Sequence, residues 1–275
     1  MPCTAFDSSL TARDQAHFLY DAIPPGLFKV ENAEERIAWR VSPEPFALSA
    51  KTYDAIVALG PDLVAFYRAL NALYNRSARG TAPSFIAEYL DRGKPEHIVR
   101  LSRQNRFKQE IPGVIRPDLI LTDVGLSASE LDSVPGGMGF VGAMAEAYCN
   151  LGMEAVGGAQ GIVRGFASMI KYASGKEAPV VAIVVSEESK DYRPEMTWLA
   201  QALTRSNELV AHIVAPQDVV FTEEALFIRF DDGREEKIDA IYRNFELFDL
   251  LNVPKQELML YAARHNRVKM TPPAK

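Results

Sequence analysis

Cysteine is nearly absent from this 275-residue chain, which has only Cys3 and Cys149. Two cysteines build no disulfide framework and fit a reducing compartment. Cys149 falls in a helical stretch and reads as a small buried side chain rather than a nucleophile. Histidine is also sparse. His17, His97, His212 and His265 form no recognisable cluster, so zinc is not indicated. A basic excess is missing too: the formal net charge is −6. That argues against a general nucleic-acid binder, which must neutralise phosphates, and leaves room for a locally basic pocket. No basic amino-terminal region runs into an apolar one, so no signal peptide is visible. No uninterrupted apolar segment approaches the roughly 18 residues of a membrane span. The expectation is a cytoplasmic protein with no nucleic-acid and no membrane partner. Internal repeats and low-complexity tracts are absent as well.

What the chain does have is an ordinary globular composition, 48% hydrophobic and 24% charged, and length enough for a large core in one or two domains. The pattern divides it near residue 175. Residues 1–175 are helix-rich. A short helix is expected near residues 12–21, an extended stretch at 39–46 around two prolines, and helical apolar spacing from 49 to 76. Gly60-Pro61 should divide that last stretch into two helices. Further helices are expected at 95–107, 140–151 and 161–173.

Residues 176–275 differ. The run from Pro179 to Ser186 is short, continuous, apolar and β-branched, the pattern of a strand buried on both faces of a parallel sheet. A helix with Pro194 in its first turn follows. Strands are expected at 208–215, 226–230 and 238–242, and a helix at 255–265. This is a β-α-β module of Rossmann-like character, so the fold class is α/β, with an α+β part preceding that module. Ligands in such sheets bind beyond the carboxyl ends of the strands. The loop after the first buried strand makes Asp191, Arg193 and Glu195 candidate substrate contacts, and Arg243 ends another strand. Each Arg could equally be a surface ion pair.

The most informative stretch is residues 115–132, IRPDLILTDVGLSASELD. It reads as a β-hairpin. A three-residue loop, Asp123-Val124-Gly125, places Gly where a left-handed residue is required. That loop pairs Thr122 with Leu126, Ile120 with Ala128, Asp118 with Glu130 and Arg116 with Asp132. Four charged side chains then leave one face, and like charges directly opposite destabilise a hairpin. Either the face is merely solvated, or it binds a cation. Oxygen-only donors from Asp118, Glu130 and Asp132 suit Mg²⁺ or Mn²⁺. The next residues, Ser133 to Gly139, carry Gly136 and Gly137 into a helix start. Backbone N–H groups can approach an anion there; the same glycines would serve a plain tight turn.

Arg116-x-Asp118 followed by Glu130-x-Asp132 across a hairpin resembles the metal-binding end of the glutathionylspermidine synthase-like, circularly permuted ATP-grasp enzymes. The order of the remaining segments is similar: Gly-rich turn, the Val180 strand as a pre-ATP-grasp module, then the stretch from Ile241 to Asp249. The resemblance implies an ATP-dependent carboxylate–amine ligase working through an acyl phosphate, with ATP as cosubstrate. By position, Asp118, Glu130 and Asp132 would hold Mg²⁺ (or Mn²⁺), and Arg116 would stabilise charge on the transferring phosphoryl group. Ser133, Gly136 and Gly137 would lie near the small-molecule carboxylate, and Asp191 and Arg193 near the amine. Asp132 departs from the family's usual Asn, and Arg193 blurs the acidic pattern a polyamine would need. In the family a Thr-Pro-Pro-like segment leads into the lysine-bearing nucleotide clamp; here Thr271-Pro-Pro lies at the end of the chain. The expectation is therefore a chain with metal and substrate portions and most of the clamp missing, possessing either a complementary ATP-grasp half or no activity alone. The alternative is a non-catalytic small-molecule binding module or an inactive fragment.

Overall fold

The structure, a computed structural model, describes residues 9–28 and 39–275; Cys3 lies outside these. The fold is mixed α/β. Its centre is a four-stranded parallel sheet in the order β4-β3-β8-β9, made of β3 (Val180–Val185), β4 (Val210–Val214), β8 (Ala240–Asn244) and β9 (Lys269–Thr271). β3 is apolar at every position because it is covered on both sides. Its residues alternate between two cores. Val181, Ile183 and Val185 face one with Tyr242; Ala182 and Val184 face the other with Ile241.

The first core is closed by α5 (Met138–Asn150), α6 (Gly161–Ser174) and α7 (Arg193–Arg205), together with Ile23, Leu27 and Phe28. Met196, Leu199 and Leu203 repeat at helical spacing and are fully buried. The second core is closed by α4 (Glu96–Ser102), α8 (Gln256–Arg264) and a three-stranded antiparallel sheet of β5 (Val219–Phe221), β6 (Leu226–Arg229) and β7 (Glu235–Lys237). The compositional change near residue 175 is thus no break in packing: residues from both sides of it share each core.

One long helix differs from its expectation. α2 runs unbroken from Ala50 to Ala78 through Gly60 and Pro61. Proline lacks an N–H and crowds the carbonyl four residues back, yet the helix continues, because Ile56, Leu59, Leu63, Tyr67, Leu70 and Tyr74 keep one half-buried face across it. By length and composition α2 is apolar enough to cross a membrane, which the sequence reading did not anticipate. Its outward face leaves Val57 and Phe66 exposed. α1 (Ala12–Ala22) is capped by Thr11, whose hydroxyl accepts from Asp14 N–H, and α3 (Ser84–Asp91) packs on α2.

Candidate functional site

The hairpin of β1 (Arg116–Thr122) and β2 (Gly125–Asp132) has the expected register at its open end. Asp118 pairs with Glu130 and Arg116 with Asp132. At the loop end the register differs by one. Thr122 pairs with Gly125 across a two-residue loop, and Ile120 with Ser127. A β-bulge reconciles the two ends: the extra residue is Ser129, whose hydroxyl donates to the Asp118 carbonyl at 3.2 Å. The charged set therefore keeps its common face.

The cation joining that set is Arg116. Its Nε donates to Asp118 Oδ1 at 3.0 Å, Nη2 lies 3.3 Å from Asp132 Oδ2, and Nη1 donates to the Gly136 carbonyl at 3.2 Å. One guanidinium fork thus ties strand, cross-strand partner and the following turn together. Among the described residues no group of three or more His, Cys, Asp or Glu side chains stands close enough to hold a metal ion as they lie. The donor chemistry still suits a hard divalent cation. Asp118 and Asp132 are partly exposed, and a metal would compete with Arg116 for both.

Beyond β2 the chain turns tightly. Asp132 Oδ1 accepts from Val134 N–H at 2.8 Å, and Ser133 Oγ lies 2.8 Å from Tyr67 Oη on α2. Gly136 is required by close approach: a Cβ there would fall 2.1 Å from the Tyr192 ring. Gly137 has φ +87° at the amino end of α5, where a side chain would be strained. The turn is thereby pressed against the loop after β3. Two of the candidates that follow it, in the first turn of α7, are fixed by the fold. Arg193 Nη2 donates to the Val185 carbonyl at the end of β3, 3.1 Å away. Glu195 is 1% exposed and accepts from Phe140 N–H at 3.4 Å, at the first turn of α5; that is a helix-capping position. Asp191 is exposed.

Arg243, at the end of β8, is 3% exposed and donates to the carbonyls of Pro272 and Phe245. Burial pushes its guanidinium down to about 10, so it stays charged at neutral pH. Next to it lies Glu246, which sequence reasoning missed. Burial pushes its carboxyl up, opposed by Arg243 and reinforced by the negative charges of Asp132 and Asp249. Burial and the Asp132 charge also push the Tyr242 phenol up. Asp132 thus stands within electrostatic reach of the carboxyl end of β8, where a parallel sheet offers its binding crevice. Three buried polar atoms at these strand ends, Ser186 Oγ, Tyr242 Oη and Asn244 Nδ2, have no hydrogen-bond partner among the described residues.

A cavity of about 230 Å³ opens between α2, residues 90–112, Ser133, Arg243 and the carboxyl-terminal residues 272–275. Sequence reasoning missed its lysines, Lys94, Lys108 and Lys275, because they are far apart in the chain.

No protein-family model and no curated protein matches the sequence. Among solved structures, the chain is similar to a glutathione synthetase-like effector (GSS30) from Globodera pallida, in its apo form, with a TM-score of 0.55 and 14% identity. The match covers 98% of this chain and 64% of that one, so this chain spans under two thirds of the effector's length. The likeness is one of fold.

Proposed function

We propose that this chain is the metal- and acid-binding portion of an ATP-dependent carboxylate–amine ligase of the circularly permuted, glutathionylspermidine synthase-like ATP-grasp type. The observation that carries the reading is the hairpin's open end. Arg116, Asp118, Glu130 and Asp132 share one face, and Arg116 ties it through the Gly136 carbonyl to the following turn. The fold shared with a glutathione synthetase-like protein supports it.

In this reading Asp118, Glu130 and Asp132 hold Mg²⁺ or Mn²⁺. The ion supplies charge neutralisation for ATP phosphates and for a phosphoryl group passing to a substrate carboxylate. Arg116 is a second positive centre, already positioned by its bond to the Gly136 carbonyl. A metal on these carboxylates would take the place of the Arg116 pairings and leave its guanidinium available to phosphoryl charge. Ser133, Gly136 and Gly137 line the approach of the acid. Asp191, Arg193, Glu195 and Arg243 were the further expected substrate contacts. Of these, Arg243 borders the cavity, and Asp191 is free to meet an amine. A complementary ATP-grasp half would supply the rest of the nucleotide clamp.

A second reading, a small-molecule binding module without chemistry, is favoured by one observation: Arg116 already neutralises Asp118 and Asp132 without any metal. Thermal melts with ATP, with and without Mg²⁺, separate the two. The ligase reading expects a rise in Tm that needs Mg²⁺ and disappears in Asp118→Ala and Glu130→Ala. A rise that ignores Mg²⁺ supports the binding module instead.

A further inference from the structure

We propose that the cavity between α2 and the carboxyl-terminal residues is a binding site for a small organic acid, whose carboxylates are received by Lys94, Lys108, Arg243 and Lys275. It deepens the ligase reading by giving the acid substrate a place, and it rests on that reading for the acid's role in a reaction, not for its binding.

The charge balance carries the argument. Four cationic side chains line one cavity of about 230 Å³, against a single acidic side chain, Glu110. Among the described residues none of the four cations has an ion-pair partner within 4.0 Å. Their hydrogen bonds go to neutral oxygens: Lys275 Nζ to the Phe107 carbonyl at 2.8 Å, Lys108 Nζ to Asn105 Oδ1 at 3.0 Å, and Arg243 to two carbonyls. Of the acidic residues nearby outside the cavity wall, Glu246 faces Arg243, and Asp91, which faces Lys94, is taken by Tyr74 at 2.6 Å and by Arg103. Bringing like charges together in a partly desolvated space is costly unless an anion joins them. The cavity is also framed by polar neutral groups, with Tyr67 and Ser133 bonded to each other across its wall. Asn71 Nδ2 pins the Glu110 carbonyl at 2.9 Å, holding the opposite wall to α2. A space of this size falls below the roughly 300–1,000 Å³ of pockets for drug-sized ligands. The ligand is therefore a compact acid and not a nucleotide. Ser133, which follows Asp132 in the chain, borders the cavity.

The test is calorimetric titration of succinate into the full chain, in buffer freed of divalent ions, with succinamide as the neutral isostere and inorganic phosphate as the competing anion. Saturable succinate binding, with Kd of about a millimolar or tighter, and none by succinamide, is expected. Lys94→Gln should weaken it at least about tenfold, the loss of one charge-assisted contact. Glu110→Gln should tighten it several-fold by removing the opposing charge, a gain that misfolding cannot mimic. Phosphate binding in preference to succinate, no succinate binding, or affinity unchanged in both variants would overturn the proposal. Because no metal is present, a failure of the hairpin as a metal site leaves this outcome unaffected.

Discussion

At the scale of single residues, Arg116 decides how the charged face behaves. It offsets the repulsion between Asp118 and Glu130 and holds the turn through Gly136. Arg116→Gln should lower stability by only about 1 kcal/mol, since the pairs are partly exposed, while raising the affinity for Mn²⁺ because the competitor for the carboxylates is gone. Denaturant melts and Mn²⁺ titration read the two effects separately. Tyr242 gives a second prediction. Its hydroxyl is buried without a hydrogen-bond partner among the described residues, so Tyr242→Phe should be neutral or stabilising by up to about 1 kcal/mol. Destabilisation in a urea melt would mean that the hydroxyl meets a bound water or ligand. Lys275 gives a third. Burial holds its ammonium down to about 8, reinforced by Lys94 and opposed by Glu110. Between about pH 8 and the ordinary lysine value near 10.4 the unfolded chain keeps a proton that the folded chain has released. Lys275 therefore contributes a rise of stability with pH across that window, absent in Lys275→Met, and succinate affinity should fall over the same range as the charge is lost.

At the scale of elements, the hairpin shows how a correct conclusion can survive a wrong step. A count from a three-residue loop places Asp118 opposite Glu130 and Arg116 opposite Asp132. The loop has two residues, and the difference is absorbed by Ser129 as a bulge. Bulges leave no compositional mark as plain as a glycine turn, so a count from the loop could not reveal this one. Of the parallel strands, β3, β4 and β8 were legible, because apolar β-branched runs such as residues 180–185 have few alternatives. β5, β7 and β9 are three residues each, too short for periodicity to register. In α2 a local rule, proline as breaker, yielded to the tertiary face that packs across it. Pro61→Ala should consequently stabilise the chain, by up to the roughly 3 kcal/mol that an interior proline costs. A lower Tm in that variant would show that the packing of α2 depends on the proline.

At the scale of the whole molecule, the two compositional halves fold around common cores. Ile23, Phe166 and Tyr242 belong to one, and Ile98, Ile241 and Met259 to the other. A single calorimetric transition is expected; two separated transitions would contradict the shared packing. The candidate site is legible where its members are neighbours in sequence, as on the hairpin and its turn. The cavity lined by Lys94, Lys108, Arg243 and Lys275 is not, because no spacing rule connects such distant positions. Arg193 and Glu195, expected as substrate contacts, are engaged by the fold with the backbone at Val185 and Phe140.

The measurement that bears most directly on this account is Mn²⁺ binding followed by electron paramagnetic resonance, in the parent chain and in Asp118→Ala and Glu130→Ala. Saturable binding that both substitutions abolish is the predicted result. Absence of bound Mn²⁺ in the parent chain, or binding that both variants retain, would contradict it.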